Sequence, residues 1–376
     1  MTEIHLGEKI GKLGYGNMRL PKINGEIDMK TVNEMIDAFL DNGFTYFDTA
    51  YIYEGSEEVL NKALVSRHPR DRFQIATKIS MMKIKDAAEM QHQVDTSLAR
   101  LGTDFIDFYL IHGLNEAYIK KADEVDAWSF IRGLKEKGIA KHIGFSFHGT
   151  PEELEYLLET HPYFEFVQLQ INYLDWENPG VQSKRMYEIA RKHGKPISVM
   201  EPNKGGWLAG ESSEVANLLR EAQPDASTAS WAFRFLLGLE GLMTILTGVG
   251  TIEEMMDNVK TFKENKPLSA EEHVLIKKAV DIIESQPTIP CTGCAYCVPN
   301  CPKKIIIPAY MRIYSNYLVY RNLDTLKHID FMLSIEGGQA SDCVACGACE
   351  KACPQHLEIA KYMAEVTALV GPSEEH

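Results

Sequence analysis

Phe105-Ile106-Asp107-Phe108-Tyr109-Leu110-Ile111-His112 is a near-continuous apolar run that ends on a polar residue. Seven other stretches have the same character: Ile10–Met18, Phe44–Asp48, Phe73–Ile79, His142–Phe147, Phe166–Ile171, Ile197–Glu201 and Leu242–Thr247. Between them lie amphipathic patterns at helical steps, such as Val32-Met35-Ile36-Phe39-Leu40. Strands that are apolar on both faces belong to a parallel sheet covered by helices. Eight strand–helix units over about 255 residues match the size of a TIM barrel. A doubly wound open sheet is the alternative. It is weakened by the count of eight and by where the polar residues fall.

Those residues gather at the C-terminal ends of the runs. Asp48, Lys78, His112, Ser146 and Glu201 close five of them, and Gln168 and Asn172 lie in or just after a sixth. In a barrel these ends share one rim, and loops converging there build the active site. The stretches that carry them have a familiar form. Phe47-Asp48-Thr49-Ala50-Tyr51-Ile52-Tyr53, with Ser56-Glu57-Glu58 behind it, resembles the signature of the aldo/keto reductase family. So do Ala76-Thr77-Lys78 and the stretch from Ser97-Leu98 through Leu101-Gly102-Thr103-Asp104 to Tyr109-Leu110-Ile111-His112.

The resemblance implies a catalytic tetrad of Asp48, Tyr53, Lys78 and His112. Carbonyl reduction needs a hydride at carbon and a proton at oxygen. A tyrosine supplies the proton if its pKa falls from about 10 towards working pH. A nearby Lys78 ammonium would stabilise the phenolate, Asp48 would hold the lysine, and His112 would place the carbonyl. Taken singly, each has a plainer reading: a half-buried aromatic, a solvated lysine, a rim histidine and a helix cap.

The resemblance further implies a nicotinamide cofactor, NAD(P)H, contacted by Ser146 and Gln168, with Met200 where many relatives stack an aromatic ring. Phe147 departs from the pattern, since relatives follow that serine with asparagine. Thr247-Gly248-Val249-Gly250-Thr251 opens a helix that reaches Asn258, so Gly248, Gly250, Thr251 and Asn258 are expected at the cofactor's phosphates. Gly248 and Glu254 stand where relatives that prefer a 2′-phosphate carry lysine and arginine, which counts against NADP. Asn203-Lys204-Gly205-Gly206 offers a second phosphate loop, with Lys204 as the nearest positive charge. Tight loops without a ligand are the plainer reading of both glycine sets.

All eight cysteines lie between Cys291 and Cys353. Cys291, Cys294, Cys297 and Cys301 precede Pro302; Cys343, Cys346, Cys349 and Cys353 precede Pro354. Each run is C-x2-C-x2-C-x3-C-P. Structural zinc uses separated C-x2-C pairs, and disulfides need an oxidising compartment. The doubled spacing resembles bacterial-type ferredoxins, in which the fourth cysteine serves the other run's cluster. That implies two 4Fe–4S clusters, one on Cys291, Cys294, Cys297 and Cys353, the other on Cys343, Cys346, Cys349 and Cys301. The 41 residues between the runs exceed a minimal ferredoxin loop, and Tyr310, Tyr314, Tyr317 and Tyr320 recur there at helical steps. This resembles the helical ferredoxin type. The stripe reads first as packing and second as an electron route.

The expected organisation is a barrel over residues 1–265, a linker helix within 266–290 capped by Ser269 and Glu272, and a small, mainly helical ferredoxin-like domain over 291–376. Pro287 and Pro290 should stop the linker helix, and the last helix should fray at Gly371-Pro372. Net charge is −14, which argues against a nucleic-acid partner. No apolar run reaches membrane-spanning length and the first residues do not form a signal peptide, so a cytoplasmic protein is expected. The expected function is an oxidoreductase that interconverts a carbonyl and an alcohol, with a redox protein as candidate partner. One-electron clusters do not exchange readily with a two-electron hydride carrier. The alternatives are therefore a flavin in the barrel that passes electrons to the clusters, or an electron-transfer subunit without turnover of its own.

Overall fold

The structure, a computed structural model, describes residues 2–210, 213–286, 288–320 and 323–371. Pro287 and Pro372, expected as helix stops, lie outside those residues. Two compact units emerge, Met1–Asn203 with Gln223–His273, and Lys204–Ala222 with Val274–His376.

The first unit is a closed barrel of eight parallel strands: β1 (Leu13–Gly16), β2 (Tyr46–Asp48), β3 (Gln74–Ser80), β4 (Ile106–Leu114), β5 (Ala140–Phe147), β6 (Phe166–Gln170), β7 (Ile197–Met200) and β8 (Leu242–Thr247). Each pairs with its sequence neighbours, and β8 closes on β1. All eight apolar runs therefore become barrel strands. The first also divides: Glu8–Gly11 forms a hairpin with Thr2–His5, and Leu13–Gly16 enters the barrel. Lys9 accepts a hydrogen bond from Thr45, just before β2, and Glu8 lies 3.6 Å from Lys141 near the start of β5. The hairpin thus sits at the strands' N-terminal ends, opposite the rim.

The barrel's interior follows from the two-residue period of a strand. Tyr46, Ala76, Phe108, Leu110 and Phe166 fill its apolar layers. Gly144 makes room, because a Cβ there would stand 2.7 Å from the Phe166 carbonyl and ring. Two residues further along each strand, the same inward side carries Asp48, Lys78, His112, Ser146 and Gln168. The change from apolar to polar along each strand is what raises the site to the rim. Outside the barrel, helices bury one face each. Pro151–Thr160 begins at a capping box of Thr150 and Glu153 and buries Leu154, Leu157 and Leu158.

The second unit holds the helices Ile307–Tyr320, Leu323–Glu336 and Ile359–Val370. Its core combines Ile305, Ile307, Met311, Leu326, Met363 and Val366 with Cys297, Cys349 and Cys353. Tyr310 is fully buried and donates to Asp330 at 2.9 Å, while Tyr314 donates to Glu365 at 2.8 Å. For Tyr310 and Tyr314 these contacts fit the packing reading of the stripe, while the side chain of Tyr320 lies outside those described. The helix Ala270–Ser285 opens on the expected cap, with Ser269 and Glu272 exchanging hydrogen bonds. No helix among the described residues is long and apolar enough to cross a membrane.

Candidate active site and cluster cradles

At the rim, Lys78 and Asp48 form a buried ion pair, Nζ to Oδ1 2.6 Å. Lys78 also donates to the Thr49 carbonyl at 2.7 Å, and Gln168 Nε2 donates to Asp48's other oxygen at 3.0 Å. Burial pulls the Lys78 ammonium below its usual range, and the Asp48 carboxylate opposes that pull. The Lys78 Nζ lies 5.3 Å from the centre of the Tyr53 ring. His112 meets the same ring edge-on, with centroids 5.5 Å apart. Burial, with Lys78 and His148 adding to it, holds His112 well below the ordinary imidazole range, so it stands neutral near pH 7. The structure thus gathers the four expected tetrad residues.

The cofactor positions divide into two groups. Ser146 is buried beside His112, its Oγ accepting from the Gly113 N–H at 2.7 Å, and its hydroxyl proton can turn to another acceptor. Gln168 is in register with both Ser146 and Ser198. Met200 is half-buried two residues beyond Ser198. Phe147 points to the other side of β5, buried near Phe145, so it takes no part at the rim. These residues fit a nicotinamide ring end.

The phosphate end is different. Thr251 caps the helix Ile252–Glu264, and the Glu254 carboxylate accepts from the Gly250 N–H at 2.7 Å. An N–H expected for phosphate is already taken by a side-chain carboxylate. The local signal is Thr251-x-x-Glu254, the capping-box pattern, although here the carboxylate takes the N–H one residue before the cap. Asn258 is buried and donates to Thr247 Oγ1 at 2.9 Å, which ties helix to strand. A Cβ at Gly248 would meet only the Gly16 carbonyl oxygen, at 3.8 Å. Lys204 was expected as the positive charge nearest a phosphate, but the structure puts it in the second unit. Its ammonium is buried and donates to Gln355 Oε1 at 2.7 Å.

Sequence reasoning gave no role to two further residues here. Glu57 is fully buried, accepts from Thr77 at 2.7 Å and adds negative charge behind Lys78. Burial raises its own carboxyl pKa. His148, two residues after Ser146, lies close enough to depress His112. Glu57 lies in the Ser56-Glu57-Glu58 stretch quoted above, but its role, like that of His148, depends on which strand ends converge.

None of the eight cysteines forms a disulfide. Cys291, Cys294 and Cys353 lie close enough to Cys297 to interact electrostatically with it. Cys301, Cys343, Cys346 and Cys349 line one cavity with Ile305, Ile307, Ile359 and Met363. The two groups pair three cysteines of one run with the fourth of the other. Left-handed backbone at Gly293, Ala295 and Lys304 recurs at Ala345, Gly347 and His356, each 52 residues on, which is also the offset of Cys291 from Cys343. Four of those six residues are not glycine, a strain that persists where the surroundings fix the loop. Burial raises the Cys297 and Cys353 thiols and takes Cys349 to about 11. Such thiols ionise once a metal supplies positive charge, so the donor sets fit iron–sulfur clusters.

Residues 12–281 match the aldo/keto reductase family and residues 290–358 match a 4Fe-4S dicluster domain. The chain belongs to the aldo/keto reductase family, and its barrel is followed by a domain for two 4Fe–4S clusters. An aldo-keto reductase of Mycolicibacterium smegmatis is 34% identical over 135 residues, 35% of this chain and 44% of that protein. An NAD/NADP-dependent indole-3-acetaldehyde reductase of Schizosaccharomyces pombe is 29% identical over 147 residues, 39% and 50% of the two chains. The matched region thus spans about half the length of these relatives. The holo form of a Bacillus halodurans aldo-keto reductase shares the fold at a TM-score of 0.57 and 26% identity, covering 73% of this chain and 93% of that one.

Proposed function

We propose that the chain is an oxidoreductase that interconverts a small carbonyl compound and its alcohol, with Tyr53 as acid/base. The observation that carries this reading is the Lys78–Asp48 pair held beneath Tyr53, with a neutral His112 at the ring's edge. The Lys78 charge favours the phenolate and so eases proton release from the Tyr53 hydroxyl to a carbonyl oxygen. Neutral His112 can donate a hydrogen bond to that oxygen without competing as a charged acid. Asp48 keeps the lysine in place, and Gln168 fixes the second oxygen of Asp48. Burial of the pair keeps water from weakening it. A bound nicotinamide would supply the hydride to the carbonyl carbon. Ser146 and Gln168 would hold its amide end, and Met200 would pack beside the ring.

The glycine-rich start of the Ile252–Glu264 helix carries Glu254 instead of a cation, which supports NAD over NADP. The cluster ligands in this reading are Cys291, Cys294, Cys297 and Cys353 for one site and Cys301, Cys343, Cys346 and Cys349 for the other. The clusters would exchange single electrons with a redox protein, in the cytoplasm. A second reading gives the barrel a flavin that divides electron pairs for the clusters. Its grounds are the departures from the nicotinamide pattern at Phe147, Met200 and Glu254; Phe147 lies off the rim, so Met200 and Glu254 carry it.

The test is anaerobic purification, cofactor extraction and turnover with a panel of aldehydes and ketones. Tyr53→Phe should lower carbonyl reduction by roughly 10²- to 10⁴-fold with iron content unchanged. Undiminished turnover in that variant sinks the acid/base role. Flavin recovered in stoichiometric amount favours the second reading.

A further inference from the structure

Two lysines are buried among the described residues, Lys78 and Lys204. The carbonyl chemistry uses the first. Lys204 opens a short segment in which three consecutive residues, Lys204, Gly205 and Gly206, have left-handed backbone, at φ 46°, 65° and 92°. For lysine that conformation costs energy and needs an external reason. The reason lies in what the segment touches within its own unit. Lys204 Nζ donates to the side chain of Gln355 at 2.7 Å, two residues past Cys353, in a loop that turns back where the His356 N–H donates to the Cys353 carbonyl at 3.0 Å. The next residue, Gly205, presses so closely on Thr292 that a Cβ would stand 2.7 Å from the Thr292 carbonyl oxygen. Thr292 follows Cys291. One strained segment therefore braces two loops that carry cysteines of the same group.

The other group is built differently. Its cavity is lined by Ile305, Ile307, Ile359 and Met363, and Cys346 and Val344 face solvent. The one lysine among its lining residues, Lys303, is exposed to solvent, where its charge is screened.

We propose that Lys204, acting through Gln355, is a positioning residue that raises the reduction potential of the cluster on Cys291, Cys294, Cys297 and Cys353 above that of the other cluster. The proposal rests on the ligand sets given above. Reduction of such a cluster adds one electron and no proton, makes or breaks no bond, and increases its negative charge by one. A fixed ammonium in a water-poor surrounding favours the more negative state. The two clusters would then differ in potential, and an electron delivered by a one-electron donor would settle on the braced one.

The test uses the full chain, purified anaerobically and titrated with dithionite while its EPR and visible spectra are followed. The wild type should hold eight irons and show two separate midpoints, and Cys353→Ser should abolish the upper one. Lys204→Met should lower the upper midpoint and leave the lower in place, whereas Lys204→Arg should retain most of the wild-type value. Gln355→Leu keeps the lysine but breaks its link to the Cys353 loop, and it should lower the same midpoint. Unmoved midpoints in Lys204→Met at full iron content overturn the proposal, as does an equal shift of both. If Lys204→Met loses iron, Gln355→Leu decides, and an unmoved midpoint there is fatal. Four irons in the wild type, or loss of the lower midpoint in Cys353→Ser, instead overturns the ligand sets beneath the proposal.

Discussion

The barrel rim and the cysteine loops both gather reactive groups, but they hold them in opposite ways. At the rim, charges are matched inside the protein, with Lys78 on Asp48 and Gln168 on the free oxygen of that carboxylate. Below them lies an apolar interior of Tyr46, Phe108, Leu110 and Phe166 that needs none of these groups to pack. In the tail, Cys297, Cys349 and Cys353 belong to the hydrophobic core itself. Burial raises their thiol pKa values, so an unmetallated core holds them neutral. In the barrel the fold builds the site; in the tail the site helps to build the fold.

Removing iron breaks this comparison most severely. In a small domain whose ligands share the core, metal-binding energy is folding energy. Anaerobic chelation should abolish amide protection around Cys291–Pro302 and Cys343–Pro354 while the barrel strands stay protected in hydrogen-exchange mass spectrometry. Tail protection that survives complete removal of iron would show that the tail packs without its clusters, and the contrast would fail.

The rim should respond to loss of charge matching instead. Lys78→Met leaves Asp48 buried without its cation, a change that costs about 3–5 kcal/mol. The denaturant midpoint of the barrel should fall accordingly with an unchanged slope. Adding Asp48→Asn should restore part of the loss, because a neutral amide tolerates burial better than an unpaired carboxylate. A double variant as unstable as the single one would mean that Lys78 stabilises through its packed stem and not through its charge.

How much of this could be read from the chain alone follows from the range of each signal. Asp48, Lys78 and His112 stand at the ends of apolar runs, and strand periodicity carries them to one side without knowledge of distant contacts. The cysteine spacing is also local, and it repeats after 52 residues. The Thr251-x-x-Glu254 pattern at the start of the Ile252–Glu264 helix is equally local. Lys204 was misplaced for want of such a signal. Its partner is Gln355, 151 residues away, and no periodicity or motif links the two. The same holds for Glu57, which gains influence from the burial that the arriving strands impose. The N-terminal hairpin divides an apolar run whose two halves look alike in composition but serve different sheets.

A smaller effect sharpens the rim's side of the comparison. Glu254 occupies the helix start with its own carboxylate, so Glu254→Arg replaces an anion with a guanidinium that can take a phosphate in two parallel hydrogen bonds. The ratio of kcat/KM for NADPH over NADH should rise by on the order of tenfold, about 1.4 kcal/mol. The lost cap should cost part of that in stability. An unchanged ratio would remove Glu254 from cofactor selection.

The smallest effect lies in the pH dependence of the barrel. His112 is neutral in the folded chain because burial, with Lys78 and His148, depresses its pKa, whereas in the unfolded chain it titrates near about 6.5. Between those two values the unfolded state binds a proton that the folded state does not. Stability therefore rises with pH across that window and gains nothing more from this residue above it. A single group can impose a slope of at most about 1.4 kcal/mol per pH unit. The measurement is hydrogen exchange of the barrel strands between about pH 5 and 7.5, where acid loss of iron from the tail does not enter the readout. His112→Gln should flatten the curve relative to wild type while leaving it unchanged near pH 7.5. Parallel curves for the two proteins would mean that His112 has the same pKa in the folded and unfolded chain and is not held neutral by its burial. A wild-type curve that instead falls with rising pH relative to His112→Gln would mean that the folded barrel keeps the proton, and the carbonyl oxygen would then meet an imidazolium at the rim.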